Sequence, residues 1–264
     1  MKIDLVKIGK IKNLKDLKKF ELNKPIFLNN YLFHYLILTN NLEGLKLNKF
    51  PVHLENDENL NGFQIASKYN YYDILKYLMK KYPKFINSKN SNNETFLHYL
   101  DVTNDNYTSL INDKTIPYFQ MYSNDKLAPL EILFTEGTNK NILSIIKKYN
   151  FKYYNYNESP YHFGLVINKN LKNKQKKDIL KELHKKDNKI FSYTDDDGNN
   201  ILYSLILEDN IELFKYLYNL KEQSLKFDAY SPINTYHIFS VAYSKSLINN
   251  NFKLKNFILD NILK

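Results

Sequence analysis

The stretch TDDDGNNILYSL, residues 194–205, sets three carboxylates ahead of a glycine. Hard oxygen ligands around a tight turn are what a calcium loop uses, with ligands at alternating positions and a glutamate at the twelfth. Counted from Asp195, the twelfth residue is Ile206, so the metal reading fails on spacing. Histidine offers a second route to an ion. His34, His98, His162 and His237 share one phase of a long period, which sets them roughly 10 Å apart, whereas ligands of one ion lie near 2 Å from it. His53 and His184 follow no pattern. Cysteine is absent, which removes thiolate sites, disulfides and cysteine nucleophiles. The chain has no G-x-S-x-G elbow, no phosphate loop and no G-x-G-x-x-G, and its six glycines leave little scope for a phosphate cradle. No catalytic residue, metal site or cofactor is assigned, and no enzyme is expected.

The charge of the 264-residue chain narrows the partners. Its formal net charge is +10, carried by lysine alone, since arginine does not occur. A basic chain suits anionic partners, but arginine's planar fork is the preferred tool for reading bases and phosphates. Lysine, asparagine, isoleucine and tyrosine are heavily used, the mark of an AT-rich genome, so codon supply explains much of the charge. The N-terminal residues alternate lysine with apolar side chains and lack a signal-peptide core. No apolar run approaches the roughly 18 residues of a membrane span. The expectation is an intracellular, cytoplasmic protein (host cytoplasm if viral).

The elements behind these residues repeat. DDDGNNILYSLILEDNIELFKYLYNL at 195–220 combines a turn, a short apolar helix and a second apolar helix. Leu202, Leu205 and Ile206 fall three and four apart, and Ile211, Phe214 and Leu217 do the same in the second helix. Similar entries occur in NSNNETFLHYL at 90–100, SNDKLAPLEILFTEG at 123–137 and ESPYHFGLVI at 158–167. Weaker ones surround His34, Gln64 and His237. The aligned positions His34, Gln64, His98, Glu131, His162, Tyr203 and His237 are separated by 30, 34, 33, 31, 41 and 34 residues.

These segments resemble the ankyrin repeat, whose turn leads into T-P-L-H-x-A and a second helix with a period of about 33 residues. Thr95–Phe96–Leu97–His98, Ala128–Pro129–Leu130–Glu131, Ser159–Pro160–Tyr161–His162 and Asn200–Ile201–Leu202–Tyr203 occupy the T-P-L-H places. Asp195 and Gly198 match the family's turn residues. The family's small residue survives as Ala66 and Gly164, while Leu100, Leu133 and Leu205 replace it elsewhere, which predicts local distortion. The resemblance implies an all-α ankyrin solenoid of about seven degenerate units over 26–250. Lysine-rich NKNLKNKQKK, 168–177, reads as an insertion between the helices of the fifth unit, and 101–122 fits its second helix poorly. Residues 1–25 are expected to supply an N-terminal capping helix, amphipathic over 4–20, and residues 251–264 a C-terminal one.

The resemblance also implies a non-enzymatic adaptor that binds another protein through a concave surface of turns and first helices. The family's contact positions fall on Asp57, Glu58, Lys68, Ser91, Asn92, Glu94, Asn124, Asp125, Leu127, Asn155, Tyr156, Glu158, Asp196, Asp197, Asn199, Tyr230 and Ser231. Lys169, Lys172, Lys174, Lys176 and Lys177 are the candidates for an anionic partner. On the alternative reading the chain is a structural subunit of a ribonucleoprotein or virion, with lysine-rich faces against nucleic acid.

Overall fold

A computed structural model describes residues 5–27, 29–151, 160–195, 199–219 and 256. The described residues form helices and no strand, so the chain is all-α. It divides into two compact units, Met1–Leu130 and Glu131–Lys264, which meet in sequence within one helix.

In Met1–Leu130, α1 (Leu5–Gly9) and α2 (Leu14–Leu17) precede two helix pairs, α3 (Leu32–Leu38) with α4 (Leu42–Lys46) and α5 (Gly62–Lys68) with α6 (Tyr72–Lys81). α7 (Pro129–Glu136) carries the chain out of this unit. α3 packs on α5, and α5 packs on the 3-10 turn Phe96–Tyr99. Leu32, Phe33, Leu36, Phe63, Ile65, Ala66, Phe96 and Leu97 are buried along these contacts. Neither helix of a pair is long enough to be stable alone, so packing of the apolar faces sustains them.

Each pair turns on a left-handed residue. Asn40 (φ 51°) follows α3 and Asn70 (φ 57°) follows α5. There the N–H of Asn41 reaches Leu36 O at 2.7 Å, and that of Tyr71 reaches Ala66 O at 2.9 Å. These are Schellman closures, in which asparagine does the work of the usual glycine. A second turn, ahead of each first helix, also recurs. Asn59, Asn93 and Lys126 are left-handed at φ 58°, 61° and 58°. The backbone N–H of Asn56, Asn90 and Ser123 each bonds the carbonyl four residues on, at Leu60, Glu94 and Leu127.

The expected single amphipathic helix over 4–20 is two short ones. Asn13 restarts the helix by accepting the Asp16 N–H at 3.0 Å. The break splits the apolar face: Ile8, Ile11 and Leu17 are buried, whereas Leu5 is 48 % and Leu14 53 % exposed. The poor fit of 101–122 has a structural counterpart, for only the 3-10 turns Tyr107–Leu110 and Ile116–Tyr118 stand there. Asp101 accepts the Thr103 N–H, Asn104 that of Asn106, and Asn112 that of Lys114. Short polar side chains that capture nearby N–H groups compete with helix bonds. Tyr107 and Phe119 fill the core that a regular helix would have filled.

In Glu131–Lys264, α8 (Asn139–Lys148), α9 (Gly164–Ile167), α10 (Asn173–Lys186), α11 (Ile201–Leu207) and α12 (Ile211–Asn219) continue the alternation. α10 packs on α8 and on α12, and α11 packs on α9. Gly164 sits so close to the end of α7 that a Cβ would fall 2.6 Å from Thr135 Oγ1 and 3.0 Å from its backbone nitrogen. Asp209 (φ 55°) closes α11, with Asn210 N–H on Leu205 O at 2.9 Å. Half of the lysine-rich insertion proves to be helix. Only 168–172 precede α10, and 173–177 are its first turns, because Gln175 accepts the Lys172 N–H at 2.9 Å and nucleates it there. His237, the seventh unit and all of the C-terminal cap but Asn256 lie outside the described residues.

Candidate functional site

The face built by successive turns is the candidate site, and the in-phase polar residues position it. His34 Nδ1 accepts the Tyr31 N–H at 3.1 Å, which leaves the proton on Nε2 to donate to Leu54 O, also at 3.1 Å. His98 repeats the arrangement, accepting from Thr95 at 2.9 Å and donating to Leu127 O at 3.2 Å. Gln64 does both with its amide, accepting from Asn61 N–H at 2.8 Å and donating to Glu94 O at 2.6 Å. Gln64 and His98 thus tie the start of a first helix to the closing residue of the following turn, while His34 reaches Leu54, two residues ahead of the Asn56–Leu60 turn. Burial drives the His34 imidazole down to about 4, outweighing the Leu54 carbonyl and Asp57, and it lowers His98 as well. Both therefore stay neutral at pH 7, as one donor and one acceptor require.

His162 holds the same sequence phase but not the same bonds. It is fully buried among Tyr161, Phe163 and Phe191, and neither ring nitrogen has a hydrogen-bond partner. Burial alone lowers it to about 3.

The turns are also tied to one another. Asn124 N–H donates to Asn92 O at 2.8 Å, Asn124 Nδ2 donates to Ser91 O at 3.1 Å, and Asn93 Nδ2 donates to Asn124 Oδ1 at 2.7 Å. Asn30 Nδ2 donates to Asp57 Oδ1 at 2.8 Å. Among the contact positions that the resemblance implied, Asn124 and Asp57 thus hold turns together. Glu94 is turned to internal use, accepting from Asn90 Nδ2 and the Tyr99 hydroxyl. Asn199 is buried and bonded to the Asp195 carboxylate, with its N–H on Oδ1 at 2.7 Å. That contact gives Asp195 its role in TDDDG: it closes a turn, as Asn56 and Asn90 do. Glu58 and Lys68 form an exposed ion pair at 2.7 Å.

What remains open on the Met1–Leu130 face is the side chains of Ser91, Asn92, Asp125 and Leu127. Asp125 is exposed and makes no hydrogen bond or ion pair to another described residue, and Leu127 is 45 % exposed. Asn155, Tyr156, Glu158, Asp196, Asp197, Tyr230 and Ser231 lie outside the described residues.

The anionic-partner cluster is only partly available. Lys176 is buried, and its ammonium donates to Val166 O at 2.8 Å, near the end of α9. Lys177 pairs with Glu212 at 2.6 Å and sits 5.4 Å from the Tyr216 ring centroid. Lys169, Lys172 and Lys174 are exposed. Sequence reasoning missed that lysines act as helix ends here. Lys186 donates to Lys147 O and Tyr149 O at 3.2 and 2.9 Å, where α8 leaves carbonyls unpaired. The visible signal was Lys186 in the last turn of a long amphipathic helix, but its target lies 37 residues back.

Among the described residues no helix is long and apolar enough to cross a membrane. No protein-family model matches the chain, and no curated protein matches its sequence.

Proposed function

We propose that the chain is a degenerate ankyrin-repeat protein that acts as a non-enzymatic binding module, offering its successive turns to another protein. The observation that carries this reading is the recurring device of His34, Gln64 and His98. Each sits at the T-P-L-H histidine place and bonds a backbone carbonyl further along the chain. Gln64 and His98 reach the last residue of the next turn, as the resemblance implies for that residue, and His34 reaches Leu54, just ahead of its turn. A rigid row of turns is a suitable interface because its backbone loses little freedom on binding. The open side chains of Ser91, Asn92, Asp125 and Leu127 combine polar adaptability with an apolar anchor.

The test is site-specific photo-crosslinking in the native cell, with the crosslinker placed in turn at 92, 125 and 127. The expected result is one protein recovered from all three positions, its yield from position 127 falling several-fold when Asp125→Lys is combined with Asn92→Lys. Recovery of no protein, or an unchanged yield, refutes the reading.

The second reading, a subunit set against nucleic acid, rests on exposed Lys169, Lys172 and Lys174. It is weakened by the internal engagement of Lys176 and Lys177. Its signature is oligonucleotide binding that weakens steeply with salt.

A further inference from the structure

The loss of a helix after α6 opens a cleft. In Glu131–Lys264, α10 has a helix on either side, α8 and α12. In Met1–Leu130 no α-helix stands between α6 and α7, and the 3-10 turns Pro83–Phe85 and Tyr107–Leu110 pack on α6 instead. A space of about 440 Å³ lies between them, lined by Lys76, Met79, Lys80, Ile86, Leu110 and Lys114 among others. We propose that this cleft is a docking site for a short acidic segment of a partner protein, held by carboxylates on the lysines and by one apolar side chain on the floor.

Charge selects the occupant. Lys76, Lys80 and Lys114 are exposed, and none of their ammonium groups makes a hydrogen bond or ion pair with another described residue. Asp113 is the one acidic residue in the lining, so the rim carries a surplus of positive charge. Lys76 and Lys80 are four apart on α6 and therefore share a face of that helix. The floor is apolar: Ile86 and Leu110 are buried beneath it, and half-buried Met79 is a flexible thioether that adapts to varied side chains. A purely ionic ligand would leave that floor wet. The lining includes no aromatic ring on which a base could stack and no arginine, which disfavours nucleic acid.

The shape is preset, because the turns forming one wall satisfy their own polar groups. Asn112 Oδ1 accepts the Lys114 N–H at 2.9 Å, and Thr115 Oγ1 accepts that of Asn112 at 2.9 Å. Ser109 Oγ donates to Asn106 O at 2.6 Å. The wall is therefore held open without needing a ligand. The cleft shares no residue with the turn face, so the two surfaces can be tested apart.

The experiment is selection of a random twelve-residue peptide display library on the whole chain, followed by affinity measurement of the selected peptides. The expected peptides combine Asp or Glu with a Leu, Ile or Phe. Their affinity falls about tenfold or more for the triple variant Lys76→Gln/Lys80→Gln/Lys114→Gln, and is unchanged for Asn92→Lys/Asp125→Lys on the turn face. The three lysines are exposed, and an unchanged circular dichroism melt establishes that the triple variant folds. Selection without acidic enrichment, or binding that survives the triple substitution, overturns the proposal. So does oligonucleotide binding that the triple variant loses while peptide binding persists, which assigns the cleft to nucleic acid instead.

Discussion

The side-chain amide of Gln64 donates to the carbonyl oxygen of Glu94 at 2.6 Å, joining residues 30 apart in the chain. Its oxygen accepts the Asn61 N–H at 2.8 Å in a site where Asn61 is wholly buried. His98 makes the same two bonds with an imidazole, and His34 makes the first of them while donating to Leu54 O. Gln64→His is therefore expected to change stability by less than about 1 kcal/mol, whereas Gln64→Leu strands the Asn61 N–H and costs about 1–3 kcal/mol. Urea denaturation of the two variants checks this; similar losses for both would remove the equivalence.

Acid is expected to loosen the fold through the histidines. The folded-state value of His34 is about 4, against 6.5 for the free side chain. Between those values the unfolded chain binds more protons than the folded one, so stability falls as pH drops below 6.5. The His34 contribution to that fall reaches roughly 3 kcal/mol by pH 4, and His98, lowered as well, adds to it. His34→Gln/His98→Gln keeps the donor and acceptor but cannot titrate. Melting temperatures measured from pH 7 to pH 4.5 are expected to decline less steeply in this variant than in the parent.

His162 carries the opposite prediction. Its ring is buried with no partner for either nitrogen. Leaving such a group unpaired costs about 1–3 kcal/mol, more than the roughly 0.5–1.5 kcal/mol that an aromatic contact contributes. His162→Leu is expected to raise stability by about 1 kcal/mol at pH 7, and by more at pH 5, where the native imidazole is held neutral against its tendency to protonate. His34→Leu is expected to lower stability at pH 7, by stranding the Tyr31 N–H, and by less at pH 5, where the penalty for holding the ring neutral is removed. Chemical denaturation at the two pH values separates the cases.

Lys126 occupies a left-handed conformation at φ 58° that asparagine takes at 59 and 93. Asparagine tolerates this region through local hydrogen bonding, while lysine has no such compensation. Lys126→Gly is expected to stabilise by about 0.5–1 kcal/mol, and Asn59→Gly to be neutral within about 0.5 kcal/mol. Thermal melts of the two variants test the ranking.

The pairing of short helices and the turn role of Asp195 were legible in the residues, since each depends on neighbours within a few positions, and the period of the polar residues was legible because the same short pattern recurs. Gln64 in the histidine phase was visible as a substitution, and its bonds give the reason it is allowed. The left-handed asparagines were less legible, because the expected turn residue is glycine and asparagine is common everywhere in this chain. The 3-10 turns of 101–122 were foreseen only as a poor fit.

The sequence by itself determined an all-helical chain, since apolar residues three and four apart can be buried only on one side of a helix. Tertiary structure alone decided which polar side chains remain for a partner. Glu94 looks outward in sequence yet bonds Asn90 and Tyr99, and Lys176 lies in a basic run yet ends up beneath the surface on Val166 O. Helix ends and turns expose backbone groups whose bonding need is met by whichever side chain folding brings near. For Lys186 that partner is 37 residues away, a distance over which no local pattern can report it.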